Sequence, residues 1–354
     1  MKIAVTKSTA LKNKPTNENS LGFGKIFSDH MFIMEYEKGK GWFDPKIQPY
    51  QSLAIDPASV VLHYGQEIFE GLKAYRSAEN DILLFRPRDN ALRLNQSAVR
   101  MCMPEIDPDE AVEAIKAIVD MERDWVPKSE GTSLYLRPTM FASDVGLGVH
   151  ASHKYTFFII CSPSGAYYPR GLAPIRIYVE DRYVRAVRGG TGFAKTGGNY
   201  ASSLKAAEEA AEKGYEQVLW VDGADRKYVE EVGAMNMMFV LGGKLCTPAL
   251  EGTILPGITR DSILTLAREM GLTVEERKIE VDELMEAGKN GTLQEAFGTG
   301  TAAVVSPVGE LTYKGTTVGV NNGEIGTWTR KLYETLTGIQ WGKIKDTHGW
   351  VTKV

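Results

Sequence analysis

The amino-acid sequence predicts a two-domain protein in which both domains mix α-helices and β-strands. Its 354 residues exceed the usual size of a single domain. In the first half, strand-like and helix-like patterns occur without strict alternation, which is typical of an α+β domain. Two prolines and two glycines in residues 162–171 interrupt regular structure. We therefore predict a small N-terminal domain at residues 1–162, an interdomain loop at 163–174 and a larger C-terminal domain at 175–354.

The first half of the chain contains short apolar runs and two helical patterns. One helix is predicted to begin at residues 86–90, because apolar residues then recur with helical spacing. A second is predicted over residues 108–124, with Asp107 as its cap and Pro108 in its first turn. The apolar runs predict strands at residues 31–36, 60–64, 72–75, 82–85, 133–141 and 155–161.

The second half of the chain is richer in strand-like runs, and its helical patterns are separated by glycine-containing turns. Helices are predicted over residues 200–213, from about 258 to 270, over 281–289 and over 323–337. Strands are predicted at residues 175–180, 183–187, 217–221, 228–232, 235–241, 244–247, 273–280, 294–298 and 302–308.

The composition argues against several classes of function. A net charge of −4 without a basic patch argues against a dedicated nucleic-acid or membrane-surface binder. No signal layout and no apolar run of membrane length is present, so we expect no membrane segment. The three cysteines are far apart and odd in number, which predicts reduced thiols in a cytoplasmic protein. His150 and His153 lack accompanying cysteines or acids, and no metal site is predicted.

The most informative stretch of the sequence is a glycine-rich loop around one lysine. Five glycines occur in residues 189–198, and Lys195 stands among them. Glycine permits backbone conformations closed to other residues and lets a bulky ligand approach the chain. A lysine in such a loop can bind phosphate as a point charge, or it can form an imine once its pKa is lowered. The loop therefore predicts either a P-loop or a Schiff-base lysine.

The P-loop interpretation is the weaker of the two. Gly189, Lys195 and Thr196 fit the P-loop pattern, but Ala194 stands where that pattern has glycine. Two glycines also follow the lysine where a phosphate-binding helix should already be formed, at a cost of about 1 kcal/mol each relative to alanine. A Schiff-base lysine for pyridoxal phosphate instead requires an acid for the pyridine nitrogen and anion sites for the phosphate.

Candidates for these partners occur further along the chain. Glu230 and Glu231 lie in a predicted strand, where neighbouring side chains face opposite sides, so one of them can point into a site. Residues 257–259 form a turn before a helix, whose N-terminus attracts anions. Residues 297–302 form a second glycine–threonine turn. Each of these signals is weak by itself, because such turns are common structural features.

Taken together and in this order, the motifs resemble the branched-chain amino-acid aminotransferases, which are fold type IV pyridoxal-phosphate enzymes. The resemblance extends from about residue 20 to the C-terminus. It implies a small α+β domain followed by a larger domain with a mixed, barrel-like sheet. The matching stretches are residues 62–75, 85–87 with Arg93, 134–138, 189–200, 231–236, 255–260 and 297–302.

The resemblance implies a role for each cofactor-binding residue of the predicted site. Lys195 is the Schiff-base lysine and the base that moves the substrate proton. Tyr200 hydrogen-bonds the ring oxygen, and Glu231 contacts the pyridine nitrogen. The residues implied to hold the phosphate are Arg93, Ile258, Thr259 and Thr299.

The resemblance also implies a substrate site and a homodimer. The substrate carboxylate is expected at the backbone of Thr301 and Ala302, and the distal carboxylate of glutamate at Arg137. The side-chain pocket is expected to be lined by aromatic residues, namely Phe69, Tyr135, Tyr167 and Tyr64 of the partner subunit. The expected reaction is amino transfer between leucine, isoleucine or valine and 2-oxoglutarate.

Several alternatives remain open from the sequence. Within the same fold, D-amino-acid aminotransferase and aminodeoxychorismate lyase are the rivals. The stretch from Glu70 to Tyr75 and the pair Tyr135 and Arg137 favour the branched-chain enzymes. A P-loop nucleotide-binding protein and a non-catalytic binding module are the alternatives from other classes.

Overall fold

The computed structural model describes residues 1–165 and 172–354, so half of the predicted interdomain loop, including Tyr167, lies outside the described residues. The chain divides into two compact units. Unit 1 contains Met1–Pro169, Ala194–Gly197 and Gly338–Val354, and unit 2 contains Arg170–Phe193 and Gly198–Thr337. Two short segments that sequence analysis assigned to the C-terminal domain therefore group with unit 1.

The strands and helices are numbered in chain order. The strands are β1 (Ala4–Val5), β2 (His30–Glu37), β3 (Gly41–Pro49), β4 (Glu67–Phe69), β5 (Leu72–Arg76), β6 (Ile82–Phe85), β7 (Ser133–Ala142), β8 (Lys154–Ser164), β9 (Ile175–Glu180), β10 (Gln217–Val221), β11 (Val229–Val232), β12 (Met235–Leu241), β13 (Lys244–Pro248), β14 (Val274–Arg277), β15 (Leu293–Gly300), β16 (Val304–Tyr313), β17 (Thr316–Gly319) and β18 (Val351–Lys353). The helices are α1 (Val60–Tyr64), α2 (Pro87–Arg100), α3 (Pro108–Met121), α4 (Gly197–Ala201), α5 (Leu204–Glu212), α6 (Ile258–Glu269), α7 (Val281–Asn290) and α8 (Thr327–Gln340). Within the described part of the chain, none of these helices has the length and apolar character needed to cross a membrane.

Unit 1 is built on one sheet, against which helices α2 and α3 pack. The sheet has the order β1-β3-β2-β8-β7-β5-β6-β18, and β4 also pairs with β7. All pairings are antiparallel except that of β1 with β3. Phe32 and Phe157 on the central strands are buried in the same apolar cluster as Leu94 of α2 and Ile115 of α3.

Helix α3 shows how local sequence determines an element. The Asp107 carboxylate accepts hydrogen bonds from the backbone N–H groups of Asp109 and Glu110 at 2.9 and 3.1 Å, and Pro108 stands in the first turn. The predicted cap is therefore confirmed. Its buried residues follow the three- and four-residue spacing that places one apolar stripe on the core, and they are Ala111, Ala114, Ile115, Ile118 and Val119.

Unit 2 contains a closed ring of six strands. The order β11-β10-β9-β16-β15-β12 returns to β11, because β11 also pairs with β12. Strands β13, β14 and β17 extend this sheet beyond the ring. Every residue of β12 is buried, as expected for a strand paired within the ring. The predicted barrel-like sheet of the larger domain is confirmed.

Two predicted strands are wrong. Residues 60–64 form helix α1, of which only Val60 is buried, and Gly65 ends it in the left-handed conformation at φ 60°. Short apolar runs do not distinguish a strand from a helical turn, and here the exposed side chains have no sheet to join. Residues 183–187 are irregular because β9, which precedes them, already pairs with β10 on one edge and β16 on the other. The predicted helix over 200–213 is interrupted between α4 and α5.

Replacing Asp107 with alanine should lower the free energy of unfolding by about 1 kcal/mol, because two N–H groups at the start of α3 lose their acceptor. Urea denaturation of the wild type and the variant measures this loss. Asp107→Asn retains a capping oxygen and should lose much less. Equal losses in the two variants would show that the charge of Asp107, and not its capping bond, stabilises α3.

Candidate active site

The backbone of Lys195 is fixed within unit 1. Its N–H donates to the Ser97 hydroxyl at 2.9 Å, and its carbonyl accepts the N–H of Phe69 at 3.0 Å. The next residue, Thr196, donates its hydroxyl to the carbonyl of Glu67 at 2.7 Å. Lys195 is half-buried, and its Nζ lies 4.9 Å from the centre of the Phe69 ring. The lysine is therefore part of a packed structure and does not belong to a solvated loop.

The structure argues against a P-loop at this lysine. A P-loop binds phosphate with backbone N–H groups at the start of a helix. Here the first residue of α4 is Gly197, and its N–H already donates to the Glu67 carboxylate. A Cβ at Gly197 would overlap the Glu67 carboxylate, so a larger residue there would displace that side chain. A carboxylate at this N–H also repels the phosphate that a P-loop would bind.

Three predicted substrate residues of unit 1 come together. The Arg137 guanidinium carbon lies 4.6 Å from the centre of the Phe69 ring and 5.4 Å from that of Tyr135. Arg137 Nη2 donates to the Tyr135 hydroxyl at 3.2 Å, whereas its buried Nε has no hydrogen-bond partner among the described residues. The Tyr135 hydroxyl in turn lies directly over Gly71, where a Cβ would not fit. Aromatic walls thus surround one guanidinium that retains unused donor capacity.

The same strand region contains a lysine that sequence analysis did not select. Lys73 on β5 stands opposite Tyr135 on β7, and residues paired in this way share a sheet face. Burial lowers the pKa of Lys73 to about 8. The residue lies within the matching stretch 62–75, but nothing in its local pattern distinguished it from an exposed strand lysine.

Arg93, which is predicted to bind phosphate, forms a buried ion pair with Glu70. Its Nε and Nη2 donate to the two Glu70 carboxylate oxygens at 2.8 and 2.9 Å, and both side chains are buried. This fork-to-fork arrangement fixes the guanidinium plane. Glu70 was not among the predicted site residues, although it belongs to the same sequence stretch as Phe69.

In unit 2, Glu231 is the centre of a buried polar network. One of its carboxylate oxygens lies 2.6 Å from Arg185 Nη1. The other accepts the Asn236 amide at 3.2 Å and the Leu255 N–H at 3.3 Å. The Glu231 carboxylate thus has one cationic neighbour and two hydrogen-bond donors. Arg185 was missed by the sequence analysis, because its surroundings did not distinguish it from a surface arginine.

The neighbouring Glu230 is also buried, although it points away from the Glu231 side of β11, as expected for adjacent residues of a strand. Burial raises the pKa of Glu230, and a hydrogen bond with Thr253 lowers it in part. Glu230 and Glu231 therefore enter different polar surroundings on opposite faces of β11.

A row of polar side chains crosses three strands of the ring. Glu231 pairs with Asn236, and Asn236 pairs with Thr299, so the three side chains lie on one face of β11, β12 and β15. The Asn236 amide also donates to the Leu255 carbonyl at 2.8 Å. A Cβ at Gly257 would collide with the Asn236 amide oxygen, so the turn before α6 packs against this row.

Two features of this region suit an anion. The N-cap of α6 is Gly257, which has no side-chain acceptor for the N–H groups of the first turn, and Thr259 is buried there. The Thr299 hydroxyl is buried and has no hydrogen-bond partner among the described residues. A buried hydroxyl of this kind is costly unless a ligand satisfies it.

The remaining predicted residues lie on α4, on α1 and in two connecting segments. Tyr200 on α4 is half-buried, and Thr301 and Ala302 form the turn between β15 and β16. Tyr64 at the end of α1 is exposed and donates to the carbonyl of Leu147. Tyr167 lies outside the described residues.

The fold and these residues define a class of protein. Residues 67–311 match the family model for amino-transferase class IV. The chain belongs to the class IV aminotransferases, and the resemblance found in the sequence is confirmed.

Known relatives specify the comparison further. The chain is 55% identical over 352 residues to branched-chain-amino-acid aminotransferase 2 of Bacillus subtilis (strain 168), covering 99% of this chain and 97% of that protein. It is 54% identical over 349 residues to the probable branched-chain-amino-acid aminotransferase of Staphylococcus aureus (strain N315), covering 98% and 97%.

Solved structures of branched-chain amino acid aminotransferases are also similar to this chain. The branched-chain amino acid aminotransferase of Escherichia coli is similar with a TM-score of 0.77 and 30% identity over 91% of this chain and 98% of that one. The branched-chain amino acid aminotransferase from Thermobaculum terrenum, solved in its PLP-form, is similar with a TM-score of 0.73 and 26% identity, covering 91% and 97%.

Replacing Glu70 with leucine should lower the free energy of unfolding by about 3–5 kcal/mol, because the Arg93 guanidinium stays charged in a buried position without its partner. Urea denaturation measures the loss. Glu130→Leu is the matched control, since Glu130 pairs with Lys343 on the surface and should change stability by less than about 0.5 kcal/mol. Similar small changes in both variants would contradict a structural role for the Glu70–Arg93 pair.

Proposed function

We propose that this protein is a branched-chain amino-acid aminotransferase that uses pyridoxal phosphate. It would transfer the amino group between leucine, isoleucine or valine and 2-oxoglutarate, forming the branched 2-oxo acid and glutamate. The observation that carries the proposal is Lys195, whose backbone is held on both sides while its Nζ lies against the Phe69 ring. The high identity to enzymes named branched-chain aminotransferases supports the choice of substrates.

The residues present suit pyridoxal phosphate. Glu231, which lies against Arg185 and accepts two N–H hydrogen bonds, is suited to hold the protonated pyridine nitrogen. The unsatisfied Thr299 hydroxyl suits a phosphate oxygen. When bound, the cofactor supplies an electron sink for charge that develops at the substrate α-carbon. The other residues proposed to hold it are Lys195, Arg93, Tyr200, Ile258 and Thr259. The Thermobaculum terrenum relative has been solved in its PLP-form, which supports this choice.

Lys195 would have two roles in the reaction. Its Nζ would hold the cofactor covalently, and its amine would move the proton at the substrate α-carbon. A lysine amine performs this task best when its pKa is lowered towards the working pH. Because Ser97 and Phe69 hold the Lys195 backbone, only the side-chain torsions determine where the amine reaches. This limits the positions from which the proton can be transferred.

The unit 1 residues would accommodate two different side chains in turn. Phe69 and Tyr135 offer apolar area to leucine, isoleucine and valine. Arg137, with unused donor capacity, can bind the distal carboxylate of glutamate through charge-assisted hydrogen bonds. When a branched side chain is present, Arg137 would keep its hydrogen bond to the Tyr135 hydroxyl. The substrate α-carboxylate is proposed to bind the backbone of Thr301 and Ala302, and Tyr167 is proposed as a further wall.

We also propose a homodimer, to which Tyr64 contributes. α1 and the segment 144–150 are joined by the hydrogen bond of Val60 N–H to the Asp144 carbonyl at 2.9 Å. Together they expose an apolar patch that a monomer would leave in water, consisting of Leu62, Tyr64, Val145, Leu147 and Val149. A second copy of the chain is the proposed cover, with Tyr64 of the partner subunit lining the substrate pocket. The free state of Cys102, Cys161 and Cys246 suits a cytoplasmic location.

Lys195→Ala should abolish transamination and leave no cofactor attached after borohydride reduction, because no other amine replaces the covalent link. Mass spectrometry of the reduced wild type should locate the pyridoxyl group on Lys195. Lys205→Ala, at an exposed lysine on α5, is the control and should keep both properties. A pyridoxyl group on another lysine, or a wild type without visible absorbance after incubation with the cofactor, would contradict the proposed function.

Arg137→Met should lower kcat/KM for glutamate and for 2-oxoglutarate. The loss of transition-state stabilisation should be about 1.5–3 kcal/mol, the usual contribution of a hydrogen bond to a charged group. The leucine half-reaction should fall much less, because leucine has no distal charge. Single-turnover kinetics of each half-reaction measure the two effects separately. Equal losses in the two half-reactions would show that Arg137 has a structural role and does not recognise the distal carboxylate. Arg182→Met, at an exposed arginine, is the control and should change neither rate.

A further inference from the structure

Glu67 carries a carboxylate for which the proposed reaction has no role, although it lies among the residues of the candidate site. Glu67 and Phe69 share one face of β4, because alternate residues of a strand point to the same side. The Glu67 carboxylate accepts the N–H of Gly197, and its backbone carbonyl accepts the Thr196 hydroxyl at 2.7 Å. Both polar ends of Glu67 therefore contact the segment that contains Lys195.

The same carboxylate lies near the positive charge of Arg137. β4 pairs with β7 so that Phe69 is opposite Thr139, and Arg137 is two residues away on the same face. The Arg137 guanidinium carbon is 4.6 Å from the centre of the Phe69 ring, which is flanked by Glu67 along β4. Burial raises the pKa of the Glu67 carboxyl, whereas the Gly197 N–H and the Arg137 charge lower it. The two charges thus influence each other.

Glu67 and Arg137 do not form an ion pair with each other in the described part of the chain. Arg137 donates instead to the Tyr135 hydroxyl, and its Nε has no hydrogen-bond partner there. Glu67 is engaged by the Gly197 N–H. The guanidinium therefore remains available to another anion, with a fixed negative charge nearby.

We propose that Glu67 sets the preference of the enzyme between dicarboxylic and branched apolar substrates, by repelling a distal carboxylate that binds Arg137. This inference rests on the proposed function. The Arg137 charge acts on Glu67, so a substrate carboxylate at Arg137 would experience the Glu67 charge, and like charges in a half-buried site repel. A leucine side chain carries no charge and avoids this repulsion. Glu67 would therefore weaken glutamate binding relative to leucine binding. Glutamate would then not displace leucine from the pocket that both substrates use.

The test is Glu67→Gln in the holoenzyme, which removes the charge and keeps an oxygen for the Gly197 N–H. The ratio of kcat/KM for glutamate to kcat/KM for leucine, from separate half-reactions, should rise about fivefold to tenfold, as expected for the loss of a nearby like charge. Calorimetry with non-reacting probes gives a second readout. Binding of glutarate should tighten relative to binding of 4-methylvalerate by a similar factor.

The control is Glu35→Gln. Glu35 is a carboxyl on β2 of the same sheet, partly buried and bonded to the Thr156 hydroxyl at 2.7 Å. Lys46 and Asp44 are the charges that act on it, and Arg137 is not among them. Its replacement should leave the glutamate-to-leucine ratio unchanged.

A double-mutant cycle decides whether Glu67 acts through Arg137. In the Arg137→Met background, Glu67→Gln should no longer raise the ratio. A rise that persists without Arg137, or an unchanged or lower ratio in the single variant, overturns the proposal for Glu67. Failure of the proposed function is distinct, since it would appear as a wild type without a leucine half-reaction, and that result would overturn both.

Discussion

The attachment of the Lys195 backbone to β4 and α2 is the constraint on which the candidate site depends. The N–H of Lys195 is held by the Ser97 hydroxyl and its carbonyl by the Phe69 N–H. Glycine at position 197 then lets the chain pass against the Glu67 carboxylate, which a larger residue would displace. A reactive amine must be placed within a fraction of an ångström, and a fixed main chain leaves only side-chain torsions to adjust.

Buried charges are the second requirement of the structure. Glu70 with Arg93 in unit 1 and Arg185 with Glu231 in unit 2 are ion pairs in which both side chains are buried. Such pairs are weak contributors to stability, because removing two charges from water offsets much of their attraction. Their presence is better explained by orientation, since each pair fixes a group that the proposed chemistry needs. Arg93 and Glu231 were predicted from the sequence, and each is positioned by a partner that was not, Glu70 and Arg185 respectively.

Local sequence was sufficient to predict many elements of this fold. The Asp107 cap and the bounds of β6, β9, β10 and β12 follow from capping, alternation and apolar runs that neighbouring residues determine. The errors occurred where pairing decided the outcome. The run Val60–Tyr64 became a helix because it has no partner strand, and residues 183–187 could not pair because both edges of β9 were already occupied.

The sequence by itself determined the family, the candidate lysine and the residues that resemble known motifs, because these signals are short and lie in a recognisable order. Only the tertiary structure decided which side chains share a surface. The alignment of Glu231, Asn236 and Thr299 depends on the registers of three strands that are distant in sequence. The approach of Arg137 to Phe69 depends likewise on the pairing of β4 with β7. Register is set by long-range packing and strand pairing, and no local pattern encodes it.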